Sequence, residues 1–201
     1  MNLPNKLTVS RFALTALFLW ALFWPWPVPG RHTLALLFFC IAAFTDFLDG
    51  RVARARGLIT NFGILMDPLA DKILTCSAFI AFIQSSRSSG NAPSVIVAAW
   101  MVIIIVSREL AITGLRLLAA SKNVVLAAEN FGKHKTVSQI AAIIAILTVA
   151  AAPEWPLPLQ EFLRPWSGEA ARLLLWITVI LTAVSGALYL WRNRRIYLTD
   201  M

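Results

Sequence analysis

Apolar residues along this chain gather into runs of membrane-spanning length. Six of them, each near the ~20 residues a helix needs to cross a bilayer, fall at Thr8–Trp24, Thr33–Gly50, Gly63–Gln84, Pro93–Ala120, Thr136–Ala152 and Ala170–Trp191. Breakers separate them: Pro25–Gly30 after the first run, Ser85–Asn91 after the third and the Pro/Trp-rich Pro153–Gly168 after the fifth. The pattern predicts an all-α polytopic membrane protein, six transmembrane helices forming a single domain over residues 1–201, with no internal repeat. The fourth run is too long for one crossing, because a continuous helix from Pro93 to Ala120 would measure ~42 Å against ~30 Å of hydrocarbon. Its end is expected to project or bend. The first run lacks a small-residue cleavage site and is expected to remain as a helix.

Composition agrees with the pattern. The 201 residues are 59% hydrophobic and 14% charged, which leaves no room for a separate soluble domain. Cys40 and Cys76 sit in apolar stretches without zinc-like spacing and are expected to be passive. The net charge of +8 is spread between the apolar runs, so anionic headgroups and phosphorylated substrates fit it better than nucleic acid. Of the 18 Lys and Arg residues, all but Arg31, Arg87, Arg164 and Arg172 fall on the side that holds the termini. The positive-inside rule therefore predicts both termini in the cytoplasm. Trp20, Trp24, Trp26, Trp155, Trp166 and Trp191 lie near the ends of runs and are expected to anchor at the membrane interfaces.

One stretch breaks the apolar pattern. Asp46, Asp49, Asp67 and Asp71 lie within or beside spanning segments, where an ionisable side chain costs about 2.5–3.5 kcal/mol on insertion scales and marks function by default. Spacings of three and four residues place each pair on one side of a helix. Four like charges need neutralisation, and an all-oxygen donor set suits hard cations, Mg²⁺ or Mn²⁺, in a site with room for two ions. Gly50 and Gly63 leave bare backbone beside the two pairs, and Arg54, one turn beyond Gly50, can clamp a phosphate bidentately.

Asp46, Asp49, Gly50, Ala53, Arg54, Gly63, Asp67 and Asp71 together spell D-x2-D-G-x2-A-R-x8-G-x3-D-x3-D. This pattern resembles the signature of the CDP-alcohol phosphotransferase family without a departure. The resemblance implies that an alcohol displaces CMP from a CDP-linked lipid, with Asp46, Asp49 and Asp67 as metal ligands. It makes Asp71 the general base, bordering the metals, and places Asp49, Gly50, Ala53, Arg54 and Gly63 around the CDP group. It further implies a homodimer.

The acceptor is read from cations. Ser107, Arg108, Glu109, Thr113 and Arg116 lie near the end of the fourth run; Glu109, Thr113 and Arg116 share a helix face by their spacing and are expected to look inward. Gly132, Lys133, His134, Lys135 and Thr136 follow in the next connector, and Arg108, Arg116, Lys133 and Lys135 are the candidates for an acceptor phosphate. Lys133 and Lys135 also fit ordinary positive-inside loop charge. These segments, with Asn2–Thr8, Arg11 and Gln139, resemble the bacterial branch of the family that joins CDP-diacylglycerol to glycerol 3-phosphate in the cytoplasmic membrane. Inositol phosphate or phosphatidylglycerol as acceptor keeps the same chemistry. Two other classes stay open at this stage: an ion-coupled transporter, since intramembrane carboxylates also mark transport paths, and a scaffold whose aspartates pair with Arg51, Arg54, Arg56 and Lys72. For Pro68 two arrangements fit: Asp67 caps a helix that Pro68 begins, or a helix starts near Thr60–Asn61 and Pro68 kinks it.

Overall fold

The computed structural model describes residues 3–24, 29–56, 61–88, 95–121 and 131–194, with side chains over 9–24, 29–45, 72–85, 95–119 and 135–194. Among the described residues there are helices and no strands. Six long helices appear: α1 (Leu3–Phe23), α2 (Arg31–Arg56), α3 (Asn61–Ser88), α4 (Ala99–Ser121), α5 (Phe131–Ala151) and α7 (Ser167–Arg192). Between the last two, the Pro153–Gly168 region is not a plain loop. It holds the end of a 3-10 turn, Ala152–Glu154, and a short helix, α6 (Leu157–Leu163).

Two boundaries differ from the hydropathy reading or resolve it. The fourth helix starts at Ala99, with residues 95–98 non-helical, so it is 23 residues and ~35 Å long at 1.5 Å per residue. The excess length seen in the sequence belongs to its lead-in. α3 begins at Asn61 and continues past Pro68, which is the helix start of the second arrangement. The ring costs the helix one backbone donor there.

Helices pack through small residues. Ala35, Ala42, Ala78, Ala142 and Ala171 are each fully buried, which lets backbones approach where no hydrophobic force acts between helices in lipid. Phe18 of α1 meets Phe39 of α2 with ring centroids 5.8 Å apart. α1 packs on α2 and α3, α5 lies between α2 and α7, and α7 also covers α4. The buried stripe of α7, Ala171, Leu175, Thr178, Val179, Thr182, Gly186 and Tyr189, follows helical periodicity. Thr178 Oγ1 donates to the Ser138 carbonyl of α5 at 2.9 Å.

The exterior inverts the rule for soluble proteins. Ile96, Ile103, Leu110, Leu157, Leu173 and Trp191 are all more than 60% exposed, while Arg11, Glu109 and Lys135 are buried. An apolar shell around polar buried residues is the arrangement a lipid solvent selects. Among the described residues two segments, Lys135–Glu154 and Ser167–Arg192, are long and apolar enough by themselves to cross a bilayer; the apolar helical stretches Val9–Phe23, Arg31–Thr45 and Lys72–Ser85 are shorter.

A polar group just past α5 ties down the start of α2. Glu154 reaches the start of α2, where its carboxylate accepts from the backbone N–H groups of His32 (2.9 Å) and Thr33 (2.8 Å), from the Thr33 hydroxyl (2.7 Å) and at 2.9 Å from His32 Nδ1. The Trp155 indole donates to Thr33 Oγ1 at 3.0 Å. A carboxylate at a helix N-terminus satisfies donors that have no partner within the helix and complements the dipole.

Candidate functional site

A polar knot interrupts the bundle in the half where α5 begins and α7 ends. Its centre is Glu109 of α4, 4% exposed. Lys72 of α3 donates to Glu109 Oε2 at 2.6 Å, and Arg108 Nη1 donates to Oε1 at 2.9 Å. Lys135 of α5 pairs with the same Oε1, and Gln139 Nε2 approaches it at 3.4 Å. Three helices thus converge on one carboxylate.

Local sequence explains the convergence. Met101, Val102, Ile105, Ile112 and Leu115 of α4 are buried, and Glu109 lies within that stripe, so the helix carries a charge into the interior. A buried carboxylate is tolerable only when paired and hydrogen-bonded. Lys135 and Gln139 stand four residues apart on α5 and so meet it from one face. Among the described residues, three cations face one carboxylate. Cations gathered in a low-dielectric setting suit a phosphate, which accepts charge-assisted hydrogen bonds.

Of the four acceptor candidates, the structure brings Arg108 and Lys135 together. Arg116 stands apart and exposed, with Nε 3.4 Å from the Tyr189 hydroxyl and the guanidinium carbon 5.8 Å over that ring. The shared inward face expected for Glu109, Thr113 and Arg116 therefore splits: Glu109 is buried, and Arg116 turns to α7. Lys133 has its side chain outside the described residues. Asp46, Asp49, Gly50, Ala53 and Arg54 lie within α2, and Gly63, Asp67 and Asp71 within α3. The side chains of these eight fall outside the described residues. Their two helices touch. Asp71 immediately precedes Lys72, so the aspartate stretch runs in sequence directly into the knot.

Two participants carry little mark in the sequence: Lys72, which fits a positive-inside charge or a partner for the aspartates, and Gly186, whose close neighbour is Arg108. A lysine adjoining Asp71 and a lone acid in the apolar α4 were the available signals.

Among the described residues, a helical bundle with an apolar shell, a buried cationic knot and two touching helices that carry the aspartates has the make-up of a membrane protein with a polar interior site. The family model described as CDP-alcohol phosphatidyltransferase matches residues 1–184, and the chain belongs to that family. As a member it is an enzyme that transfers phosphatidyl groups. Among curated relatives, a Bacillus subtilis protein named CDP-diacylglycerol--glycerol-3-phosphate 3-phosphatidyltransferase is 39% identical over 202 residues, covering 96% of this chain and 95% of the relative. A Mycobacterium tuberculosis protein named probable phosphatidylglycerophosphate synthase is 33% identical over 201 residues, covering 96% of this chain and 82% of its own length. A rice protein named cardiolipin synthase (CMP-forming) is 31% identical over 206 residues, covering 98% of this chain and 59% of the relative.

Proposed function

We propose that the protein transfers the phosphatidyl group of CDP-diacylglycerol to sn-glycerol 3-phosphate, giving phosphatidylglycerophosphate and CMP. The observation that carries this choice of acceptor is the knot itself: Lys72, Arg108 and Lys135 gathered on buried Glu109, with Lys72 next in the chain to Asp71. A phosphorylated acceptor needs cations beside the reacting centre. The Bacillus subtilis relative, similar over nearly its full length, is named for this acceptor.

In this reading Asp71 takes the proton of the acceptor hydroxyl as its oxygen attacks the phosphorus that carries the lipid. The bond from that phosphorus to the bridging diphosphate oxygen breaks, and CMP leaves. Asp49, Gly50, Ala53, Arg54 and Gly63 hold the CDP group, Arg54 by a bidentate phosphate contact. Arg108, Lys135, Arg116 and Lys133 take the acceptor phosphate, joined by Lys72. The four-carboxylate donor set fits Mg²⁺ or Mn²⁺, two ions held by Asp46, Asp49, Asp67 and Asp71, and bound metal would neutralise charge on the diphosphate and the leaving CMP.

The whole chain acts as one domain with six crossings and both termini cytoplasmic, in a bacterial cytoplasmic membrane. CMP then leaves into the cytoplasm and the lipid product stays in the bilayer. The working unit is a homodimer.

The test is CMP release from CDP-diacylglycerol by purified protein with Mg²⁺, offering glycerol 3-phosphate, inositol phosphate or phosphatidylglycerol separately, with Asp71→Asn as control. Release with glycerol 3-phosphate alone, reduced at least a hundredfold in the control, is expected. Release only with phosphatidylglycerol would move the chain to the reaction for which the rice relative is named. Silence with every acceptor would reopen transport.

A further inference from the structure

α7 has no Asp, Glu, Lys, Arg or His between Arg172 and Arg192, yet it comes against the cationic knot at Gly186. A Cβ placed on Gly186 would stand 2.6 Å from Arg108 Cγ, 3.5 Å from its Cβ and 3.8 Å from its Cδ. The first distance is shorter than real Cβ contacts allow. The atoms met belong to the stem of Arg108, next to its own backbone, so a rotation of the guanidinium alone does not relieve the overlap. At Gly30, Gly114 and Gly168, the other glycines with described surroundings, an added Cβ would meet nothing within 4 Å. The crowding at Gly186 is therefore a local feature of this crossing.

We infer that Gly186 is a positioning residue for the acceptor site: its bare backbone is the surface over which the Arg108 stem passes, and this sets the guanidinium on Glu109. The inference rests on the reading of Arg108 as an acceptor-phosphate ligand. A methyl group at 186 pushes the stem off α7. The Arg108 to Glu109 hydrogen bond of 2.9 Å is then lost, and with it the placement of one phosphate donor. A charge-assisted hydrogen bond of this kind is worth roughly tenfold or more in affinity. The bland alternative is a glycine that only lets α4 and α7 pack closely. That role changes stability and treats both substrates alike.

The test uses the full-length protein and CMP release, varying each substrate in turn. The variants are Gly186→Ala, Arg108→Ala, the double variant and Gly168→Ala, with thermal unfolding in the same micelles. Gly186→Ala is expected to raise KM for glycerol 3-phosphate about tenfold, leaving KM for CDP-diacylglycerol within about twofold and Gly168→Ala as the parent. Because the substitution acts through Arg108, it should add nothing in the Arg108→Ala background. Effects that add, or an equal rise in both KM values, would overturn the inference. If Gly186→Ala does not fold, the double variant must fold as stably as Arg108→Ala alone, and its failure to do so also overturns it. An Arg108→Ala enzyme with unchanged acceptor KM instead removes the reading of Arg108, while the double-variant cycle in melting temperature still reports on the contact.

Discussion

Glu109 is the residue on which the interior depends. It accepts from Lys72, Arg108 and Lys135 in a nearly dry setting, so its removal leaves cations without their shared partner. Breaking a buried ion pair from one side costs about 3–5 kcal/mol. Glu109→Ala is expected to lose about that much in thermal or denaturant unfolding. Lys72→Met is expected to be milder, since Lys72 is the most exposed of the three and leaves Glu109 with two cationic partners. Near-equal losses for the two variants would show that the carboxylate is not the hub.

At the scale of elements, the start of α2 is organised from a distance. Glu154 follows α5 by three residues, yet it caps a helix that begins more than a hundred residues earlier. Glu154→Gln keeps the shape and removes the charge; an expected loss of about 1 kcal/mol, the usual worth of an N-terminal cap, is read as a lowered melting temperature with unchanged KM values. Just before α2, Gly30 sits at φ +80°. A Cβ there meets no neighbour, so Gly30→Ala isolates the backbone term, and about 1–2 kcal/mol is the expected cost.

For the whole molecule, the length of α5 separates the Glu109 knot, held by Lys135 near its start, from the Glu154 cap just past its end. With the proposed orientation, Glu154 lies on the outer face and Ser121 on the cytoplasmic one. In a background with Cys40 and Cys76 replaced, Glu154→Cys is expected to react with an impermeant thiol reagent added to intact cells, and Ser121→Cys only after the membrane is opened. The reverse pattern would invert the topology. Chelation of divalent metal is expected to abolish CMP release, and Mg²⁺ to restore it, because four carboxylates share one stretch of chain.

Long apolar runs specify helices because backbone in lipid must satisfy its own hydrogen bonds; the six long helices lie where those runs lie, and the two aspartate pairs fall within α2 and α3. Linear spacing also suffices to recognise the family, since its motif lies within 26 consecutive residues, Asp46 to Asp71. Helix ends were less legible: hydropathy does not distinguish the apolar lead-in at 95–98 from the helix it precedes, and the residues next to Pro68 fit a helix start as well as a helix interior. Contacts between distant segments were not legible at all. Lys72, Glu109 and Lys135 are separated by 37 and 26 residues, and only the packing of α3, α4 and α5 brings their charges to one point. The contact of Gly186 with Arg108, like the cap that Glu154 places on α2, arises where two helices or segments meet, and no periodicity within either one encodes it.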